Sequence, residues 1–367
     1  METISLRVFY LWNRGATEGH DPGFQQNIQW DVPLLEGYDH EFVDNSSNDP
    51  GTHHFWGIYN PNLIEQVQNW KPDTVLLLAY NYASIYLFLY QWRHRTPVIF
   101  RGDSHRLGIS SNWRNRLKRL LISTVFHQFD ICLYVGSANK EYFLEHGLLP
   151  RQLFFCPHSV DNKRFFEASD RAIEDALVWR KSLGIPTGDS VILYAGKFEQ
   201  KKRPTDLLEA FLQLNWPEAS LLLVGAGLLE ETLKTQANGH PKVFFAPFQN
   251  QSFMPRIYAA GDLFVLPSGG GYETWGLAVN EAMCMSRPII VSDQVGCAAD
   301  LVEPNENGLI FPAGDVDALA QCLQEALCDP HRLKQWGNLS RQRIHSYSYE
   351  QASAGLLKAL SSISSHF

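Results

Sequence analysis

Two carboxylates and a run of glycines form the part of this chain most suited to chemistry. Glu273 and Glu281 are separated by seven residues, and Gly269-Gly-Gly271 stands just before them. Upstream, the apolar run Leu263-Phe-Val-Leu266 ends in Pro267 and Ser268; downstream, helix-forming apolar residues run from Gly276 to Met285. That order reads as strand, glycine loop, helix. Such a junction binds anions, because glycine lets the backbone approach closely and the first helical N–H groups and the helix dipole face outward. Neither Glu273 nor Glu281 would itself hold a phosphate. Glu281 falls at least one turn inside the helix, where it can accept hydrogen bonds from sugar hydroxyls while the loop amides hold a diphosphate. Taken singly, the two acids also read as an ordinary helix-end acid and a surface acid.

A second cluster lies in Val191-Ile-Leu-Tyr-Ala-Gly196, an apolar strand, followed by Lys197-Phe-Glu-Gln-Lys-Lys-Arg-Pro204. Three consecutive cations after a strand-to-loop junction make a pocket for a dianion. The alternative is a basic, solvated loop. Together the two clusters fit a ligand that is phosphate in the middle and polyol at its ends.

Glu-x7-Glu in the setting Pro267-Ser-…-Glu273-Thr-Trp-Gly-Leu-Ala-Val-Asn-Glu-Ala-Met283, followed by Arg287-Pro-Ile-Ile-Val-Ser-Asp293 and Val295-Gly-Cys297, resembles the family-4 retaining glycosyltransferases, also called glycosyl transferases group 1. The resemblance is strong over about residues 190–350 and looser before that. It implies an α/β protein of GT-B fold, with two Rossmann-like doubly wound parallel-sheet domains facing a central cleft. By the same resemblance Glu281 meets the nucleotide ribose, Glu273 lies by the transferred sugar, and the backbone of Thr274, Trp275, Gly276 and Leu277 holds the diphosphate. Gly196-Lys197 and, five residues on, Lys202 take the places of a family Gly-Arg and Lys that neutralise the diphosphate. Lysine at the first position substitutes a point charge for a bidentate fork. Phe248 falls near the nucleobase turns, where core packing is the competing role.

The first half is read with the same frame. Leu6–Trp12 is a buried strand followed by a polar, glycine-rich loop, the position at which open α/β sheets bind ligands. Gly15, Gly19 and Gly23 are the loop candidates, with ordinary turn glycine as the alternative, and no complete G-x-G-x-x-G is present. Trp30 and Tyr38 suit either sugar stacking or core packing. Thr74–Ala79, Ala83–Trp92 and Pro97–Phe100 alternate as strand, helix, strand. In many family members a histidine after this last strand touches the transferred sugar; here that place falls on Asp103, with Ser104 and His105 beside it, and helix capping is the structural alternative for Asp103.

The resemblance implies an N-terminal acceptor-side domain over residues 1–165, joined by a crossing helix at about 347–367, and a donor domain over 166–346. It implies no cofactor and no metal, with a nucleotide diphosphate sugar as co-substrate and a hydroxyl acceptor. The alternative is a GT-B protein that binds nucleotide sugars without turning them over.

Composition limits the remaining classes. With 367 residues, 45% of them hydrophobic, the chain can supply two cores. A net charge of −8 opposes general nucleic-acid binding. Six cysteines without a C-x2-C pair read as small buried hydrophobes of a reducing compartment. The start lacks the pattern of a secretory leader, and no apolar run reaches membrane-spanning length. The expected location is cytoplasmic, extending to the inner face of the membrane: residues 93–119 carry eight basic residues against Asp103 alone and read as a basic amphipathic surface for anionic lipid, or else as a solvated face. Oligomeric state leaves no mark in the sequence.

Overall fold

Leu221, Leu222, Leu223 and Val224 are all buried, an apolar run without the alternation of a half-exposed strand. The computed structural model, which describes residues 4–13, 16–51, 54–78, 81–108 and 113–364, shows why. These residues lie in a six-stranded parallel sheet ordered Val243–Ala246, Ala219–Ala226, Ser190–Lys197, Leu263–Leu266, Ile289–Ser292, Gly308–Phe311. Leu222 and Val224 face one helical layer, with Phe165, Val279 and Met283; Leu221 and Leu223 face the other, with Leu207, Phe211, Leu323 and Trp336. Each such side chain contributes about 1.5–3 kcal/mol on burial.

The order of this sheet has a functional consequence. Ile192 pairs with Leu221 on one side and Leu263 on the other. The first strand therefore has its successor on one side and the fourth strand on the other, and the chain's direction across the sheet reverses between them. Ligands of open α/β sheets bind in the crevice at such a reversal, beyond the strands' carboxyl ends. Gly196 and Lys197 end one of these strands, and Pro267 and Ser268 follow the other.

The first half builds a second parallel sheet, Val75–Leu78, Val98–Arg101, Ile131–Tyr134 and Leu153–Phe155 in that order. Its core is aromatic: Phe100 stacks on Phe129 at 4.9 Å, and Phe126 and Phe143 complete the cluster. A short parallel pair, Arg7–Tyr10 with Asp39–Phe42, lies apart from these four strands in the hydrogen-bond pattern. The glycine-rich segment expected to be an irregular loop contains an antiparallel hairpin, Gly19–Asp21 with Gln26–Ile28. Three-residue polar strands carry no readable period, so the sequence concealed it.

Asp161 caps the helix Asn162–Ser182, its Oδ1 accepting from the Arg164 amide at 3.0 Å. The last helix, Tyr349–Ser364, lays Ala352, Leu356, Ala359 and Leu360 on Ile99, Ile131, Leu133 and Cys156 of the first sheet. Among the described residues no helix is long and apolar enough to cross a membrane.

Candidate active site in the cleft between the domains

The loop after Leu266 is shaped by two constraints. Gly276 has φ +102°, and a Cβ there would stand 3.0 Å from Val295 Cγ1 and 3.1 Å from Leu266 Cδ2. Only glycine fits both the conformation and the space. It leads into the helix Leu277–Cys284, where the Val279 amide is taken by the Gly276 carbonyl at 2.8 Å and the amides ahead of it lie before any intrahelical carbonyl could reach them. Glu273, three residues earlier, accepts at Oε2 from Ser268 Oγ at 2.9 Å and from Lys202 Nζ. Lys202 is thereby held to the segment that enters this helix.

Glu281, one turn into the helix, accepts from Tyr258 OH at 2.6 Å. Burial pushes its carboxyl above the ordinary range, against the Tyr258 hydrogen bond and the Arg164 charge, which pull it down. Arg164 is itself anchored to Gln251, donating to the backbone oxygen at 2.7 Å and to Oε1 at 3.0 Å.

The cations do not form the unpartnered cluster suggested by their spacing. Lys197 pairs with Asp21 at 2.9 Å, Lys201 with Glu199 at 3.0 Å, Lys202 with Glu273, and Arg203 with Asp206 at 2.6 Å. The physical reason is desolvation: a half-buried ammonium without a counter-charge costs more than the pair. Strand-end geometry is fixed independently of these pairs, since the buried Tyr194 hydroxyl donates to the Lys197 carbonyl at 2.7 Å.

Across the cleft, the loop after the strand Val98–Arg101 grips the segment that precedes the signature helix. Asp103 Oδ2 accepts from Thr274 Oγ1 at 2.8 Å and faces His158 Nε2 at 3.4 Å. The His158 hydrogen bond, with that of Thr274, holds the Asp103 carboxyl below its usual range despite its burial. Asp103 is thus a cross-domain hydrogen-bond acceptor, and it caps no helix among the described residues. Buried His105 contacts the Glu273 carbonyl oxygen through Nε2 at 3.0 Å. Asn139 fastens this loop from behind, donating to the Ser104 carbonyl at 2.8 Å and accepting from the Val135 amide at 3.1 Å.

His158 was missed as a site residue. Its signal was its position just beyond the strand Leu153–Phe155, within Pro157–Asp161. Its Nδ1 faces Arg101 Nη2 at 3.4 Å.

The remaining candidates are distributed as follows. The Trp275 side chain is buried, donating from Nε1 to Asn280 at 2.8 Å and lying against His158 and Tyr347, so only its backbone is available to a ligand. Leu277 is exposed at the helix start. Gly196 lies beside the Tyr194 hydroxyl at the crevice. Phe248 belongs neither to the core nor to an open pocket: it packs on Phe24 at 4.6 Å and on Trp30 at 6.2 Å, both from the first domain. Gly23 is buried against Lys197 and Glu199. Gly15 lies outside the described residues.

These features define a two-domain α/β protein of GT-B fold. Residues 175–343 match the family described as Glycosyl transferases group 1. A GDP-mannose-dependent monoacylated alpha-(1-6)-phosphatidylinositol monomannoside mannosyltransferase of Corynebacterium glutamicum is 33% identical over 264 residues, 70% of this chain and 67% of that protein. A sulfoquinovosyl transferase of Arabidopsis thaliana is 24% identical over 307 residues, 80% of this chain and 57% of that protein. Among solved structures, a sucrose-phosphate synthase of Thermosynechococcus elongatus superposes with a TM-score of 0.71 at 21% identity, covering 99% of this chain and 90% of that one. The Anabaena HepE protein, solved with UDP and glucose, gives 0.66 at 18% identity over 89% and 86%. The chain belongs to the group 1 glycosyl transferases.

Proposed function

We propose that the protein transfers a sugar from a nucleotide diphosphate sugar to a hydroxyl acceptor with retention of anomeric configuration. The observation that carries this reading is the pairing of Lys202 with Glu273, four residues ahead of the helix Leu277–Cys284, beside the reversal in strand order of the six-stranded sheet. During transfer the bond from the anomeric carbon to phosphate oxygen breaks, a bond to the acceptor oxygen forms, and the acceptor proton passes to the leaving phosphate oxygen on the same face. Negative charge grows on the diphosphate, so amides and ammonium groups already fixed there bind the transition state more strongly than the ground state. Lys202, Lys197 and the backbone from Thr274 to Leu277 serve this charge, Glu281 takes the ribose hydroxyls, and Glu273 lies beside the transferred sugar. Lysine charge takes the role a divalent metal has elsewhere, and no further cofactor enters.

The acceptor lies on the first domain, near Asp103, His105, Gly23 and the segment that includes Gly15. The division goes with domain boundaries at residues 165 and 346 and a last helix that packs on the first sheet. A relative's GDP-mannose dependence and the UDP seen with a structural neighbour make GDP- and UDP-sugars the first donors to try. We extend the proposal to a cytoplasmic protein touching anionic lipid through residues 93–119, directly followed by the exposed Leu120 and Leu121. Sedimentation with anionic vesicles tests that extension.

Thermal shift with UDP-, GDP- and ADP-sugars tests the donor reading, since a ligand at a hundredfold its dissociation constant stabilises by about 2.7 kcal/mol. Nucleotide release from the stabilising donor should be lost in Lys202→Ala and Glu273→Ala proteins that still fold. Tight donor binding without turnover across acceptors would establish the alternative, a nucleotide-sugar-binding protein.

A further inference from the structure

The N-terminal hairpin reaches the donor domain at three points. At its turn, Asp21 Oδ1 and Oδ2 accept from Lys197 Nζ at 2.9 and 3.2 Å, and Oδ1 also accepts from the amides of Gly23 at 2.8 Å and Phe24 at 3.1 Å. The same ammonium lies 5.0 Å from the Phe24 ring centroid. Beside the turn, Gly23 lies close under the donor-domain side chains: a Cβ would stand 2.4 Å from Glu199 Oε1 and 2.5 Å from Lys197 Cδ, which would have to move. Beyond the second strand, Phe24 and Trp30 enclose Phe248, Asn250 donates to the Gln29 carbonyl at 2.7 Å, and Asp31 accepts from the Ser252 amide at 2.9 Å. Residues 21–31 of one domain thus clasp the strand ends of the other.

The clasp holds a carboxylate where the donor reading needs phosphate. Asp21 is 13% exposed and Lys197 31% exposed, so the pair sits where its attraction is only partly screened. Burial alone would raise the Asp21 carboxyl; Lys197 and the turn amides overcome it and hold the carboxyl below its usual range. An ionised Asp21 and a diphosphate at the same ammonium repel one another. A diphosphate brings more charge than a carboxylate and is the anion able to take its place.

We propose that Asp21 is a displaceable counter-ion of Lys197: the diphosphate of the donor exchanges with the Asp21 carboxylate, and the exchange frees the hairpin from the donor domain. This rests on the assignment of Lys197 to the donor diphosphate. Donor entry then becomes an anion exchange coupled to the uncovering of Phe24, Trp30 and Phe248.

The test titrates the full chain with sodium pyrophosphate, UDP and GDP, using calorimetry for affinity and amide hydrogen exchange for residues 19–31. Asp21→Asn should bind at least one of these ligands about fivefold to tenfold more tightly than the unaltered protein, because a neutral amide no longer competes for the cation. Asp21→Glu, which keeps the charge, should return affinity toward the unaltered value, and Lys197→Ala should bind about tenfold more weakly. Ligand should speed exchange in residues 19–31 of the unaltered protein. Asp21→Asn binding no more tightly while Lys197→Ala binds weakly overturns the counter-ion role and leaves the donor reading intact. Lys197→Ala binding as the unaltered protein does, or no binding of any of the three ligands, overturns the donor assignment and this proposal together.

Discussion

His105 on the first domain donates from Nε2 to the carbonyl oxygen of Glu273 on the second, 3.0 Å away. The donor is identified by the other ring nitrogen, since Nδ1 accepts from the Leu107 amide at 3.1 Å. The Glu273 carbonyl also accepts from the Gly296 amide at 3.0 Å, so one peptide is held from both sides of the cleft. Removing the imidazole leaves a buried hole and takes one of the two donors from that carbonyl. His105→Ala should lose about 1–3 kcal/mol of stability in chemical denaturation. Because the ring positions the peptide that carries Glu273, turnover should fall about tenfold or more with donor KM little changed. His105→Gln, which keeps an N–H donor, should recover part of the rate.

Lys202 and Glu273 should behave as a coupled pair. Their side chains are 23% and 12% exposed, so removing one leaves the other poorly solvated. Lys202→Ala should cost about 1–3 kcal/mol, and the Lys202→Ala, Glu273→Ala double variant should be more stable than the sum of the single losses predicts. Urea denaturation of the four proteins measures the coupling. Strict additivity would mean that the pair contributes nothing to the fold.

How much of this was legible beforehand depended on whether the signal was local. The strand, glycine loop and helix around Glu273 and Glu281 are encoded within about 25 contiguous residues, and the structure follows them closely, with strand Leu263–Leu266 and helix Leu277–Cys284. The six-stranded sheet was readable for the same reason, because buried parallel strands are written as continuous apolar runs. The contacts that hold the cleft together were not local. Asp103 with Thr274, His105 with Glu273, and Asp21 with Lys197 join residues more than 160 positions apart, and no spacing rule reports such pairs. The basic run at Lys201–Arg203 misled by omission: its charge was evident, but the acids that neutralise it lie at Glu199, Asp206 and Glu273.

Gly276 should tolerate no side chain. Alanine at φ +102° is strained, and its Cβ would press on Val295 and Leu266 at 3.0 and 3.1 Å. The two effects together should cost Gly276→Ala about 2–4 kcal/mol in thermal or urea unfolding. Donor affinity should fall as well, because the first turn of the signature helix must shift to relieve the contact. A variant with an unchanged midpoint would show that the loop adapts freely and that the helix start is not rigidly placed.

Glu281 gives the cleft a pH dependence of defined sign. Its folded-state pKa is raised above the ordinary 4.5, chiefly by burial, with the Tyr258 hydroxyl and Arg164 opposing the rise. A raised value means that folding favours the protonated form at this site. The resulting contribution to stability is fully present below pH 4.5 and is lost as pH climbs through the folded value. Glu281→Gln does not ionise, so its stability relative to the unaltered protein should grow between pH 4.5 and 7 when both are followed by urea denaturation. Donor binding runs the other way, because ribose hydroxyls donate best to the carboxylate: affinity should weaken as pH falls through a midpoint above 4.5, and Glu281→Gln should flatten that limb. Tyr258→Phe removes the 2.6 Å hydrogen bond to the ionised form and should move the limb to higher pH still. Calorimetric titrations of the nucleoside diphosphate across this range measure all three, and a limb left in place by Glu281→Gln would assign it to another group.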